Sequence, residues 1–255
     1  MQIKSFDKKV AIVTGAGQGI GFEICRQLAK EGAVVILNDL DSDLAEDAAN
    51  KIRGENGNCI ALPGDSSDLS FIQSMVDLAV KQFGHLDIVI ANAGITLFGD
   101  FLTYSTESFN RVLKVNLEGT FFLAQAAANQ MKKQSSGGSI LFTSSVTGHQ
   151  AHKDLAAYAM TKAAIEMLAR NLVIELSSYK INVNTIAPGA TITERTLGDP
   201  EYETTWSKLS PTGRPSTTKD IADAALFLVS DKAKQITGQC LIIDGGWSCI
   251  SPSPF

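Results

Sequence analysis

The chain has 255 residues, with 22 basic against 27 acidic side chains, a formal charge of −5 and an apolar share of 44%. That length suits one large α/β domain, and that apolar share suits a packed core, so global disorder is excluded. Basic residues pair only at Lys8-Lys9 and Lys132-Lys133, too few for a nucleic-acid face, and no apolar run approaches the ~18–20 residues of a membrane span.

In chain order, strand-length apolar runs fall at Val10–Val13, Ala33–Leu37, Cys59–Leu62, Leu86–Ala91, Ser139–Phe142, Ile181–Ile186 and Cys240–Ile243. Near-continuous apolar runs of this kind suit strands covered on both faces. Amphipathic stretches lie between them at Gly19–Lys30, Leu44–Gly54, Phe71–Phe83, Thr106–Gln130, Leu155–Ser177 and Lys219–Ser230. Strand–helix alternation predicts a parallel sheet with helices on both faces. No linker or repeat divides the chain, so residues 1–255 are expected to form a single domain. The least regular stretch, Glu194–Pro215, holds Gly198, Pro200, Pro211, Gly213 and Pro215 and reads as a substrate-binding loop. Cys25, Cys59, Cys240 and Cys249 share no CxxC spacing, so no metal site and no disulfide framework is expected. The opening residues lack the apolar stretch of a signal peptide, and a cytoplasmic setting is the expectation.

The first strand runs into Thr14-Gly15-Ala16-Gly17-Gln18-Gly19-Ile20-Gly21, which opens directly into a helix. Glycines there allow a tight turn and close approach of a ligand, and a helix N-terminus attracts phosphate. Alone, such a cluster reads equally well as a flexible loop. Asp39 ends the next strand, 20 residues after Gly19. At that separation a carboxylate can hydrogen-bond an adenosine ribose, and the combination points to a dinucleotide.

The wording Thr-Gly-x-x-x-Gly-x-Gly resembles the short-chain dehydrogenase/reductase family. Asn92-Ala93-Gly94 is similar to that family's Asn-Asn-Ala-Gly motif, with Ala91 in place of the first Asn. Asp65, Asn116, Ser144-Ser145, Tyr158 and Lys162 follow in the family's order, then Pro188-Gly189 with Thr191 and Thr193, then Asp244-Gly245-Gly246. The likeness runs from Val10 to Gly246. It implies a Rossmann-type doubly wound fold with a seven-stranded parallel sheet. It also implies a cofactor set of Gly15, Gln18, Gly19, Ile20, Gly21, Asp39, Asp65, Asn92, Ala93, Gly94, Tyr158, Lys162, Pro188, Gly189, Thr191 and Thr193.

Tyr158 and Lys162 stand four apart and share one face of a helix. Chance places a Lys four residues after one of the four Tyr about 0.25 times in a chain of this composition, so the spacing alone also fits an exposed pair. A phenol is a poor base at neutral pH, and a neighbouring ammonium favours its phenolate. By resemblance, Tyr158 is the general acid/base, Lys162 holds the nicotinamide ribose, Ser145 binds the substrate oxygen, and Asn116 supports a water-linked proton path. Ser144 equals Ser145 on chemistry; the family's spacing favours Ser145.

Asp39, with no Arg or Lys in the glycine turn, predicts NAD over NADP, because a 2′-phosphate beside the carboxylate is repelled. The expected activity is hydride transfer between NAD(H) and a secondary alcohol or ketone. The segments Gly213-Arg214-Pro215 and Asp244-Gly245-Gly246-Trp247 diffusely resemble those of relatives acting on sugars and polyols. The alternatives are an NADPH-dependent 3-oxoacyl thioester reductase and, from another class, a non-catalytic nucleotide-binding regulator. His85 reads as an exposed turn residue, and His149 and His152 lie where a substrate could border them. Tyr202 and Trp206 could close over a ligand or pack on the body, while Trp247 and Cys249 are placed at a subunit contact. A homotetramer is expected, paired through the helices Thr106–Gln130 and Leu155–Ser177 and, by resemblance, through the C-terminal strand region.

Overall fold

In the computed structural model, which describes residues 4–251, strand β1 (Val10–Val13) is fully buried. Helix α1 (Gly19–Lys30), β2 (Val34–Leu37), α2 (Ser42–Gly54), β3 (Asn58–Ala61), α3 (Leu69–Phe83) and β4 (Ile88–Ala91) follow. The second half brings α4 (Thr106–Leu113), α5 (Thr120–Met131), β5 (Gly138–Thr143), α6 (Ala156–Leu176) and β6 (Ile181–Pro188). The chain closes with β7 (Thr191–Ile192), α7 (Tyr202–Leu209), β8 (Ser216–Thr217), α8 (Thr218–Val229) and β9 (Cys240–Ile243).

Seven strands form one parallel sheet in the order β3-β2-β1-β4-β5-β6-β9. Strand periodicity sorts the core into two layers. Ala11 and Val13 face Ile24 and Leu28 of α1 and Ile221 and Ala225 of α8. Val10 and Ile12 face Met75 of α3, Leu123 and Ala127 of α5 and Ile165 of α6. Strand order reverses between β1 and β4, where Val13 pairs with Leu37 on one side and Ile90 on the other. Crevices for ligands form at the carboxyl side of such a switch point.

Helices begin earlier than the apolar periodicity suggests because polar caps precede it. Asp41 accepts from the Asp43 and Leu44 amides, and Asp68 accepts from Phe71. Thr217 and Asp220 form a reciprocal capping box. Arg214 donates to both Asp220 oxygens, at 2.7 and 3.0 Å, and its guanidinium holds that carboxyl well below the usual carboxylate range. Arg214 is thus occupied in fixing the start of α8.

Two expectations need correction. Thr106–Gln130 is not one α-helix: α4 and α5 are separated by a π-helical segment, Lys114–Gly119. The wider turn carries buried Asn116 into contact with the Ile95 backbone and Thr161, while Gly119 approaches the Ser66 carbonyl so closely that a Cβ there would lie 2.8 Å away. Glu194–Pro215 is not irregular throughout, because it contains α7, and the pairing of Thr191 with Ser216 pins its two ends together. No helix among the described residues is long and apolar enough to cross a membrane.

Candidate active site

A cleft of about 1140 Å³ opens beyond the carboxyl ends of β1, β2, β4, β5 and β6, and every residue of the expected cofactor set lines it. The glycine turn is shaped by close approach. Gly15 has φ +59°, and a Cβ on Gly21 would sit 2.5 Å from the Gly15 carbonyl oxygen. Asn92 donates to the carbonyls of Thr14 and Gly15, at 3.0 and 2.9 Å, while Thr14 Oγ1 accepts from the Asn92 and Ala93 amides. The two loops are thereby stitched together. No described side chain caps the start of α1, so its first N–H groups remain available to an anion.

Asp39 Oδ2 accepts from the Gly17 amide at 2.9 Å and Oδ1 from the Asp41 amide at 3.2 Å. These bonds fix the carboxylate at the cleft wall, and it makes no ion pair among the described residues. Asp65 is held similarly, accepting from the Ser67 amide and hydroxyl. No sequence motif marks Asn38. It is buried and donates to the Leu62 and Gly64 carbonyls, joining the ends of β2 and β3 beside Asp39. The narrow turn and the uncapped helix end suit a dinucleotide.

At the other end of the cleft, α6 presents Tyr158 and Lys162 on one face. Lys162 is 4% exposed; its Nζ donates to the Thr143 carbonyl at 2.7 Å and lies 5.4 Å from the centre of the Tyr158 ring. A Cβ on Gly94 would lie 3.4 Å from both Lys162 Nζ and Asn116 Oδ1, so glycine leaves the space above them open. Asn116 stands behind the cleft wall. Its Oδ1 accepts from the Ile95 amide at 2.9 Å and its Nδ2 donates to the Ile95 carbonyl and Thr161 Oγ1, each at 3.1 Å. Thr161 in turn donates to the Tyr158 carbonyl.

The two adjacent serines face different surroundings. Both line the cleft, and Ser145 Oγ accepts from the Thr147 amide. Ser144 Oγ is buried, 2.6 Å from Glu166 Oε1 and 3.0 Å from the Lys162 carbonyl, so its proton is already engaged. A phenol, an ammonium and a hydroxyl at one end of a long cleft can exchange a proton with a bound oxygen.

None of the three histidines lines the cleft. His85 is more tied down than a free turn residue, meeting the Phe83 and Lys8 carbonyls and Asp87. His149 meets Glu166, and His152 stacks at 5.1 Å on Trp247. Trp206 packs against Trp247 at 5.2 Å and Tyr202 at 6.2 Å. Tyr202 itself lines the cleft and donates to the Thr191 carbonyl; burial raises its phenol above the ordinary range. Arg111, Lys114 and Arg195 also line the cleft, and no spacing signal marked them.

A family model described as enoyl-(acyl carrier protein) reductase matches residues 15–248. The chain is 38% identical over 250 residues to L-rhamnose-1-dehydrogenase of Scheffersomyces stipitis, covering 93% of this chain and 95% of that protein. It is 36% identical to versicolorin reductase of Emericella nidulans, covering 94% and 96%. The solved short-chain type dehydrogenase/reductase from Mycobacterium marinum superposes with a TM-score of 0.91 at 31% identity, covering 97% of this chain and 98% of that one. Likeness of this extent, in sequence and backbone alike, means that the chain belongs to the short-chain dehydrogenase/reductase family and is a nicotinamide-dependent oxidoreductase.

Proposed function

We propose that this enzyme interconverts a secondary alcohol, of a sugar or polyol, and its carbonyl, using NAD(H). The observation that carries the reading is the buried Lys162 ammonium, anchored on the Thr143 carbonyl 5.4 Å from the Tyr158 ring. When bound, the nicotinamide supplies the site that accepts or returns the hydride. Tyr158 Oη takes the proton from the substrate hydroxyl in oxidation and returns it in reduction. Lys162 binds the ribose, and Ser145 Oγ holds the substrate oxygen. Asn116, held by Ile95 and Thr161, supports water next to Lys162 for proton exchange with solvent.

The choice of NAD rests on Asp39. One unit of repulsion at about 4 Å and an effective dielectric of ~20 is worth ~4 kcal/mol before screening; about a third of that is already tenfold in binding. Sugar or polyol as substrate rests on the likeness to L-rhamnose-1-dehydrogenase, and the excursion at residues 194–215, with Tyr202 on the cleft wall, serves as the substrate-binding segment. A panel of sugars, polyols, secondary alcohols and acyl thioesters with NAD and NADP, followed by nicotinamide absorbance, tests it. Preference for acyl thioesters with NADPH would replace it with the 3-oxoacyl reductase reading. Cofactor binding without turnover on any substrate would favour a regulator.

We also propose a cytoplasmic homotetramer. Four free thiols suit a reducing compartment. Phe121 on α5 and Met160, Met167 and Ile174 on α6 are exposed, an apolar surface of the kind that pairs between copies. On the same two helices Ala164 is also exposed, whereas Phe122, Ala126 and Leu168 pack against the core. A monomeric mass by light scattering at micromolar concentration would remove this part.

A further inference from the structure

One turn beyond Lys162 on α6, Glu166 buries a carboxylate that is 6% exposed and has no Lys or Arg ion pair among the described residues. Its Oε1 lies 3.0 Å from His149 Nε2, which lies 3.5 Å from Cys240 Sγ. The three atoms come from the β5–α6 connection, from α6 and from the first residue of β9, and all fall within 4.8 Å of one another. A carboxylate removed from water needs a cation or a proton beside it.

Geometry narrows the choice of cation. A tetrahedral zinc ion, with nitrogen at ~2.0–2.1 Å and sulfur at ~2.3 Å, sets those two ligand atoms about 3.5 Å apart. The nitrogen–oxygen pair opens by a few tenths of an ångström from its present hydrogen-bonded separation. An imidazole, a thiol and one carboxylate form a borderline-soft set that favours zinc, cobalt or cadmium over calcium or magnesium, which take oxygen ligands. Ser144, whose hydroxyl meets Glu166 at 2.6 Å, supplies the outer support that metal-bound carboxylates usually have. The His149 side chain is 28% exposed, which leaves an entry path.

We propose that His149 Nε2, Glu166 Oε1 and Cys240 Sγ form a binding site for a zinc-like divalent cation, with the fourth position left to water. On binding, the Cys240 thiol proton passes to the buffer, and the proton between His149 Nε2 and Glu166 Oε1 moves to Nδ1 or to the buffer, leaving thiolate, neutral imidazole and carboxylate as ligands; no group is oxidised or reduced. The ion would tie the segment bearing Ser145 to α6 and β9, away from the proton-carrying phenol, so its role is structural. Separations of 17 and 74 residues along the chain (149 to 166, and 166 to 240) form no short ligand motif, which is why cysteine spacing points the other way.

The test is a cobalt(II) titration of the untagged, chelator-treated full chain, watched by the thiolate-to-cobalt charge-transfer band. One equivalent should generate the band, and zinc should abolish it by displacement. Cys240→Ser should remove it, while Cys249→Ser, which changes an exposed thiol, should keep it. Loss of an outer support alone typically costs ~10–100-fold in metal affinity, so His149→Ala and Glu166→Gln should each weaken cobalt by about a hundredfold or more. Circular dichroism and NADH binding verify that each variant is folded. No band in the parent chain, a band surviving Cys240→Ser, a band lost in Cys249→Ser, or unchanged affinity in folded His149→Ala would overturn the proposal.

Discussion

The two ends of the sheet each carry a cleft and a carboxylate, but the groups are differently committed. At the amino end a cleft of about 700 Å³ borders Asp87. Asp87 is 7% exposed, accepts from Lys9 Nζ at 3.0 Å and from the Val10 amide at 2.9 Å, and meets His85 at 3.1 Å. Its bonds tie β4 to the start of β1. At the carboxyl end, Asp39 is oriented by two backbone amides and has no cation partner among the described residues, while Tyr158, Lys162 and Ser145 share the same cleft. The carboxyl-end cleft is the larger, about 1140 against about 700 Å³, but both are large enough to hold a ligand. The useful sign is polar groups held in place by the backbone yet still facing open space.

That contrast can be broken by exchanging effects between the ends. The largest effect is expected from Tyr158→Phe, which should lower kcat by ~10²–10⁴-fold with NADH affinity and melting temperature nearly unchanged. Normal rates at saturating substrate would remove Tyr158 from its role. Gly21→Ala should come next, since its Cβ would meet the Gly15 carbonyl and Asn92 Nδ2 at 2.5 and 2.6 Å. NADH affinity, read by fluorescence titration, should fall by about tenfold or more, a penalty of ~1.4 kcal/mol.

Asp39→Ala sharpens the comparison. The parent enzyme should favour NAD over NADP by about tenfold in kcat/KM, and the variant should narrow that ratio severalfold; an unchanged ratio would show that Asp39 does not set it. The smallest effect on catalysis belongs to Asp87→Ala. It leaves the Val10 amide and Lys9 without their partner, a loss of about 1–3 kcal/mol in stability by urea unfolding, with kcat unaltered. A selective fall in kcat there would mean that the amino end takes part in the chemistry.

Much of this division was legible beforehand for a physical reason. A strand buried on both faces needs an apolar run, and a turn that admits a second backbone needs glycine, so β1 and the Gly15–Gly21 turn announce themselves. Tyr158 and Lys162 are legible through helical spacing, with the family likeness supplying their roles. Less was visible where the third dimension decides. Nothing in Ser144-Ser145 says which hydroxyl meets Glu166, because that carboxylate comes from another element. The apolar pattern of 106–130 conceals the π-helical segment, within which Asn116 bonds to Ile95. Helix α7 hides among glycines and prolines that mark the edges of its excursion rather than its interior.

The π-helical segment also constrains how the chain can change length. Each residue of an α-helix turns the side-chain frame by about 100°, so one residue more or fewer changes which face every later side chain occupies. Lys114–Gly119 absorbs such an offset, keeping Asn116 aligned with Ile95 while Leu123 and Ala127 still point at the sheet. Deleting one residue there would restore an unbroken helical phase and force a choice between the two alignments. The segment works as an angular adjuster between the cleft wall and the core, and a length change at this point reaches both at once.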